Sequence, residues 1–311
     1  MGVPLPHDEI ETLIGSLETL DYRRVDWPNV RWTAYLVHQR LRYEYPGAIH
    51  DLRQRLMIVP PDRYGGQRLV THKLEISAPF VTIDRTQDAF GNRVLNLFVE
   101  HVEREIDFTA WIVVEHDATV GSATLPADDA LLAPFRTPTF LTTPDDAIRA
   151  VAETLRADGG DDATLAARIN RWVHTTMTYQ YGITGVRTPA GDALAAGHGV
   201  CQDYAHIMLA LCRLCGMPAR YVSGHLLGEG GTHAWVEVLL PDPHDASRRI
   251  AHPFDPTNGC IPGLKYITVA VGRDYGDVAP TSGTYRAPYV GHLSAHKHAG
   301  VTALEYFSGR D

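Results

Sequence analysis

The sequence predicts an α+β chain, with an N-terminal antiparallel β module and a C-terminal domain in which helices come before strands. Two patterns point to it. From Trp32 to about Val120, short segments rich in β-branched and aromatic residues often alternate apolar with polar, and clusters of turn residues separate them. From about residue 145 onward, helical periodicities come first and consecutive strand patterns follow, which is not the alternating order of a parallel α/β sheet. At 311 residues, with 44% apolar and 21% charged residues, the chain has room for two cores.

At the N-terminus, Ile10, Leu13, Ile14, Leu17 and Leu20 share a helical face over residues 8–20, with Asp8 as the N-cap. The strand candidates "TAYLVHQRLRYEY", "LRQRLMIVP", "LVTHKLEIS", "VLNLFVEH" and "FTAWIVVEH" follow, and "PPDRYGGQ" and "DAFGNR" supply turns. Their alternation predicts a β-sandwich. Pro and Thr are dense over residues 131–144, which read as a linker. Beyond it Thr143 is placed to cap a helix with Pro144 at its first position and Asp146 in its first turn. A second helix over about 162–176 carries Leu165, Ile169, Trp172 and Val173 on one face. The segments "GVCQDYAHIMLALCRLCGMP", "ARYVSGHLL", "THAWVEVLLP" and "RRIAHPFDPTNG" then read as helix, strand, strand, strand. The chain after Gly272 reads as loop-rich. The expected division is residues 1–130 for the helix and β domain, 131–144 for the linker, 145–290 for the α+β core and 291–311 for a tail.

Net charge is −9 and the sequence pI about 5.9, without a basic run or an arginine-aromatic stripe, so no nucleic-acid partner is expected. The N-terminal residues lack an apolar signal region, and Pro6 stands where a myristoylation motif needs Ser or Thr. No apolar run approaches the ~20 residues that span a bilayer, so no membrane partner is expected. Of four cysteines, Cys201, Cys212 and Cys215 crowd one window, unlike a disulfide framework, and a reducing cytoplasm is the expected compartment.

"GHGVCQDYAH" sets Cys201 between glycines and the start of a helix, where the helix dipole favours a thiolate. Ala205, Met208 and Cys212 continue its buried side. His233 opens a strand after "GEGG", and an imidazole held there can take a thiol proton. Asp255 ends the next strand-like run, where its carboxylate can fix the imidazole tautomer. Each alone has a plainer role: a core cysteine, a structural histidine, a turn-forming aspartate. Together, in this order on a helix followed by a sheet, they form a papain-like arrangement. The Cys201 backbone N–H is a natural oxyanion donor, with Gln202, Tyr179 and Gln180 as side-chain candidates. Ala195 stands where papain-type enzymes carry glutamine. Cys212 and Cys215 lack the two further ligands that zinc needs and read as core residues. His198, His206 and His225 read as structural, Asp203 as a stabiliser of the helix start, and Asp274 and Asp277 as turn residues rather than a cation site. No metal or cofactor is called for.

The run "GVCQDYAH…GMPARYVSGHL…THAWVEVLLP…FDPTNG" resembles the transglutaminase-like superfamily in its bacterial cysteine-protease branch. "YQYGITGVRTPAGDAL", "VAVGRDYGDVAP" and the "DAFGN" of the N-terminal module resemble it too, so that the likeness covers roughly residues 30–290. One departure is Ala251-His252-Pro253, where many relatives place an aromatic. The resemblance implies a transglutaminase core with Cys201 as nucleophile, His233 as base and Asp255 as orienter, acting on a peptide or protein amide through a thioester. Hydrolysis is the first expectation. Protein-glutamine transamidation is the alternative, and an inert peptide-binding module the third.

Overall fold

The computed structural model describes residues 18–308. The helix read over 8–20 lies outside the described residues except at its end, where Leu20 bridges to Val301. The N-terminal module comprises β1 (Val30–Glu44), β2 (Ile49–Leu56), β3 (Arg63–Tyr64), β4 (Gln67–Ile76), β5 (Thr82–Gln87), β6 (Arg93–Val102) and β7 (Glu105–Asp117). The chain then runs through β8 (Thr124–Pro126), α1 (Asp129–Arg136), α2 (Asp146–Ala157), α3 (Asp162–Thr176), β9 (Thr178–Tyr179), α4 (Ala190–Ala196), β10 (His198–Gly199) and α5 (Cys201–Leu214). It finishes with β11 (Ala219–Leu226), β12 (His233–Asp242), β13 (Asp245–Phe254), β14 (Tyr266–Gly272), α6 (Tyr275–Val278), β15 (Thr281–Arg286) and β16 (His292–Tyr306).

Two antiparallel sheets, ordered β16-β1-β7-β4-β3 and β15-β2-β6-β5, face each other as the expected sandwich. Alternating residues meet between them: Tyr35, Val37 and Leu41 of β1, Phe108, Ala110 and Ile112 of β7, and Leu95, Leu97 and Val99 of β6. The third sheet, β14-β11-β12-β13-β8, carries the helical layer. There Ile148 and Ala152 of α2, Leu165, Ile169 and Val173 of α3, and Met208 and Cys212 of α5 share one core with Ala234, Val236 and Val238 of β12. Helix α5 is central. Every residue from Gln202 to Arg213 is buried, so it has no solvent face, where the sequence suggested one buried side.

Several boundaries differ from the sequence reading. The stretch 131–144 is not a free linker. It holds most of α1 and a 3-10 turn at Phe140–Thr142, and buried Arg213 donates to the Phe135 carbonyl at 3.1 Å and to Thr142 Oγ1 at 2.7 Å. Asp145, not Thr143, caps α2 by accepting from Ile148 N at 2.8 Å, because the Thr143 hydroxyl already donates back to the Thr139 carbonyl at 2.7 Å. The C-terminal stretch is neither core end nor tail. Strand β15 pairs with β2, and β16 pairs with β1 from Glu44↔His292 to Val30↔Tyr306, so the chain returns to complete its first domain.

The two domains are joined by buried amides. Gln67 donates to the Thr268 carbonyl and accepts from Thr268 N, both at 2.8 Å. Asn92 does the same for Val271, at 2.7 and 2.8 Å. Thr268 and Val271 lie on β14, an edge strand, so these side chains satisfy backbone groups that no neighbouring strand reaches. The "DAFGN" turn thereby has a structural purpose. Asp88 Oδ1 accepts from Phe90 N and Asn92 N, Gly91 takes φ +85°, and the turn holds Asn92 against β14.

Candidate active site

Cys201 is the first residue of α5 and is a half-buried free thiol. Asp203 fixes this helix start. Its Oδ2 accepts from Val200 N at 2.8 Å and from Thr184 Oγ1 at 2.6 Å, and burial raises its pKa. The flanking glycines serve the backbone rather than substrate access. Gly197 ends α4 in the left-handed region at φ +67°, and a Cβ on Gly199 would stand 2.6 Å from Asp203 Oδ2. The parallel pairing of β9 with β10 sets Tyr179 opposite Gly199, two residues before the thiol.

His233 opens β12 and is buried. Its Nε2 donates to Asp255 Oδ2 at 2.8 Å, and its Nδ1 lies 3.3 Å from Glu229 Oε2. Burial opposes a charge on this imidazole. Hydrogen bonds to Asp255, to Cys201 and to Glu229 outweigh that and raise its pKa. With Nε2 committed to Asp255, Nδ1 is the nitrogen left for the thiol. Trp235 stacks near the ring at 6.3 Å between centroids.

Asp255 is fully buried and richly partnered. Its Oδ1 accepts from Thr257 N at 2.9 Å and Asn258 N at 3.1 Å, and its Oδ2 from Asn258 Nδ2 at 2.8 Å and Tyr266 OH at 2.7 Å. Burial acts to raise the Asp255 pKa, but His233, Asn258 and Tyr266 outweigh it and hold the carboxylate ionised. Behind this strand Ala251 packs with Leu132 and Phe135 of α1 and with Leu239.

Cys201 and His233 open onto one cavity of about 330 Å³, lined also by Tyr179, Gln202, Tyr221 and Tyr275. Of the oxyanion candidates, Gln202 and Tyr179 line it, and Tyr179 OH donates to Tyr181 OH at 3.1 Å. Gln180 does not. It is exposed, and its backbone N–H pairs with the Gly199 carbonyl at 2.8 Å. Of the remaining histidines and acids, His206, Asp274 and Asp277 take plainer roles, while buried His225 pairs neither ring nitrogen among the described residues. His206 Nε2 accepts from Tyr275 N at 3.2 Å, and burial lowers its pKa to about 3. Asp274 caps α6 through Gly276 N, and Asp277 pairs with Arg273. Cys212 is buried in the helical core. Sequence reasoning missed Tyr266, Asn258 and Glu229. Asn258 lies inside the "DPTNG" turn, where a side-chain donor beside Asp255 could have been anticipated. Tyr266 is brought over only by the order of strands.

Residues 35–115 match the bacterial transglutaminase-like N-terminal region. Residues 149–246 match the transglutaminase-like superfamily, a range that holds Cys201 and His233 and ends before Asp255. The chain is a transglutaminase-like protein. It is 41% identical over 125 residues to an uncharacterized protein of Mycobacterium leprae (strain TN), a match spanning 37% of this chain and only 42% of that one. It is 29% identical over 276 residues to an uncharacterized protein of Mycobacterium tuberculosis (strain H37Rv), across 80% of this chain and 86% of the relative. A crystal structure from Cytophaga hutchinsonii, provisionally described as a cysteine protease, superposes with a TM-score of 0.72 at 20% identity, over 89% of this transglutaminase-like chain and 93% of its own. That likeness places the fold.

Proposed function

We propose that this transglutaminase-like protein is a thiol-dependent amide or peptide hydrolase that acts through Cys201, His233 and Asp255. The supporting observation is one imidazole held on both sides: Asp255 holds Nε2 at 2.8 Å, Glu229 lies 3.3 Å from Nδ1, and the ring shares a cavity with the Cys201 thiol. The raised pKa of His233 favours its taking the proton of Cys201, which leaves a thiolate at a helix start. The sulfur attacks a carboxamide or peptide carbonyl. The Cys201 backbone N–H, with Gln202 or Tyr179, faces the developing oxyanion. His233 returns its proton to the leaving amine, and a thioester remains. Water, giving its proton to the same imidazole, attacks the thioester and frees the acid and the thiol.

The test is alkylation by iodoacetamide, read cysteine by cysteine by mass spectrometry, beside turnover of amide substrates. Cys201 should react faster than exposed Cys260, and its reactivity should persist into mildly acidic solution, below the ~8.5 of an isolated thiol. Cys201→Ala should abolish turnover and keep the fold. Turnover that survives in Cys201→Ala overturns the reading. Competition between water and a fluorescent amine for one acyl donor separates hydrolysis from transamidation.

A further inference from the structure

The cavity's far wall belongs to the sandwich. Gln39 and Leu41 of β1 line it together with Leu293, Ala295 and Lys297 of β16. These are alternate positions on paired strands, with Gln39↔Lys297 and Leu41↔Ala295 directly opposite, so they form one ledge facing Cys201. Lys297 is the only Lys, Arg, Asp or Glu among the described residues that line the cavity. Among the described residues its ammonium has as hydrogen-bond partner only the Leu226 carbonyl, at a marginal 3.5 Å. No carboxylate comes within ion-pair distance of it among the described residues. Burial lowers its pKa to about 8, while the charge of Glu229 acts the other way, so the side chain is still cationic at neutral pH. Across the strand pair, Gln39 is buried, and its Oε1 has no hydrogen-bond partner among the described residues. A half-buried cation with no carboxylate in contact, beside an unsatisfied amide, is costly unless a ligand completes it.

We propose that Lys297 is a specificity-determining residue, and that the substrates are amides carrying a carboxylate within a few bonds of the scissile carbonyl. The inference rests on the thiol chemistry proposed above. The ammonium receives the carboxylate, and a substrate N–H beside it satisfies Gln39. Glu229, outside the cavity lining, reaches His233 Nδ1 and acts on Lys297 through its charge, so a negative charge is favourable near both. The carboxylate can belong to an acidic side chain or to a chain end.

Three affinity labels of Cys201 test this: chloroacetyl-glutamic acid α-amide, chloroacetyl-glutamine free acid, and neutral chloroacetyl-glutamine α-amide. In each, the sulfur displaces chloride. The wild-type chain should label about tenfold faster, or more, with one of the anionic probes, as a hydrogen bond to a charged group implies. The faster one tells whether a side chain or a chain end is read. Lys297→Met should bring the anionic-to-neutral ratio to about one, and Gln39→Glu, which sets a carboxylate opposite Lys297, should reverse it. Equal rates for all three probes on wild-type chain overturn the proposal, as does a preference that survives in Lys297→Met. Iodoacetamide on wild-type chain separates the two readings. A Cys201 no faster than Cys260 removes the thiol chemistry and this inference with it, whereas a fast Cys201 without anionic preference removes only the role of Lys297.

Discussion

At the scale of single residues, the site is organised around a buried carboxylate rather than around the thiol. Asp255 accepts from two backbone N–H groups and from Asn258, Tyr266 and His233, so each of its oxygens is held from more than one direction. Tyr266→Phe removes one donor and leaves the rest. Stability should fall by about 1 kcal/mol, the net worth of one hydrogen bond. Turnover should fall several-fold as Oδ2 loses a restraint, which thermal melts and kcat/KM would read. Asp255→Asn is harsher, because the acceptor that raises the His233 pKa loses its charge. The imidazolium is then easier to deprotonate, the thiolate loses its partner, and the alkylation profile of Cys201 should move to higher pH. An unmoved profile would mean that Asp255 does not act through His233. Elsewhere, buried His206 and His225 both have pKa values lowered by burial to about 3, below the ~6.5 of an unfolded chain. Their contribution to stability is whole above pH 6.5 and is lost as pH falls from there toward 3, because the unfolded state binds their protons first. The melting temperature should drop through that window, and replacing His225 by an apolar residue of similar volume should lessen the drop. Cys201, His233 and Asp255 were legible because each stands in a local pattern: a helix start, a strand start, a strand end before Pro. Tyr266 and Lys297 were not, because strand pairing brings them to the site from elsewhere in the sequence, and Glu229, four residues before His233, lies in a loop with no pattern to mark it.

At the scale of elements, the placing of the thiol depends on how α5 begins. Asp203 must come close to the chain behind it to accept from Val200 N, and only a residue without Cβ leaves it room at position 199. Gly199→Ala should therefore displace the cap, cost on the order of 1 kcal/mol or more, and slow the alkylation of Cys201 while Cys212 stays buried. An alanine variant of wild-type melting temperature and thiol reactivity would show that the cap does not set the sulfur. The same physics explains which elements the sequence revealed. Helix α5 and strands β11 and β12 are buried along almost their whole length, and they read clearly as elements, whereas β13 is buried only at Ala251 and Phe254. Strand β5 is mostly exposed and β8 has three residues, so neither carries a burial pattern to read. In β16 the buried residues are confined to Ala299, Gly300 and Val301, with histidines and Lys297 on its more open half, and the result resembles a polar tail.

At the scale of the whole molecule, the chain closes on itself, and this decides what can be cut away. The proposed triad lies within residues 140–272, which suggests a minimal catalytic fragment. The structure argues against one. Such a fragment loses Gln67 and Asn92, and the backbone groups of Thr268 and Val271 on edge strand β14 are left without partners. It loses Met57 and Val94, which the sandwich lends to the helical core, and the α1 residues Leu132 and Phe135 that cover Ala251. Buried Glu237, which pairs with Arg220 at 2.8 Å, loses the Tyr64 hydroxyl that reaches both. An uncovered edge and unsatisfied buried polar groups favour aggregation over a folded core. A milder cut, ending the chain at Ala279, keeps all of these but removes β15 and β16. It takes away one of the two partners of β1, along almost its whole length, one of the two partners of β2, and the ledge that carries Lys297. The fragment 140–272 should be insoluble or molten, and the chain ended at Ala279 should lose cooperative unfolding of the sandwich and alkylate Cys201 and Cys260 at similar rates. Sedimentation, thermal melts and cysteine-resolved labelling would check both. A soluble 140–272 fragment with wild-type Cys201 reactivity would mean that the transglutaminase-like core folds without the sandwich, and that the interdomain amides add nothing to its site.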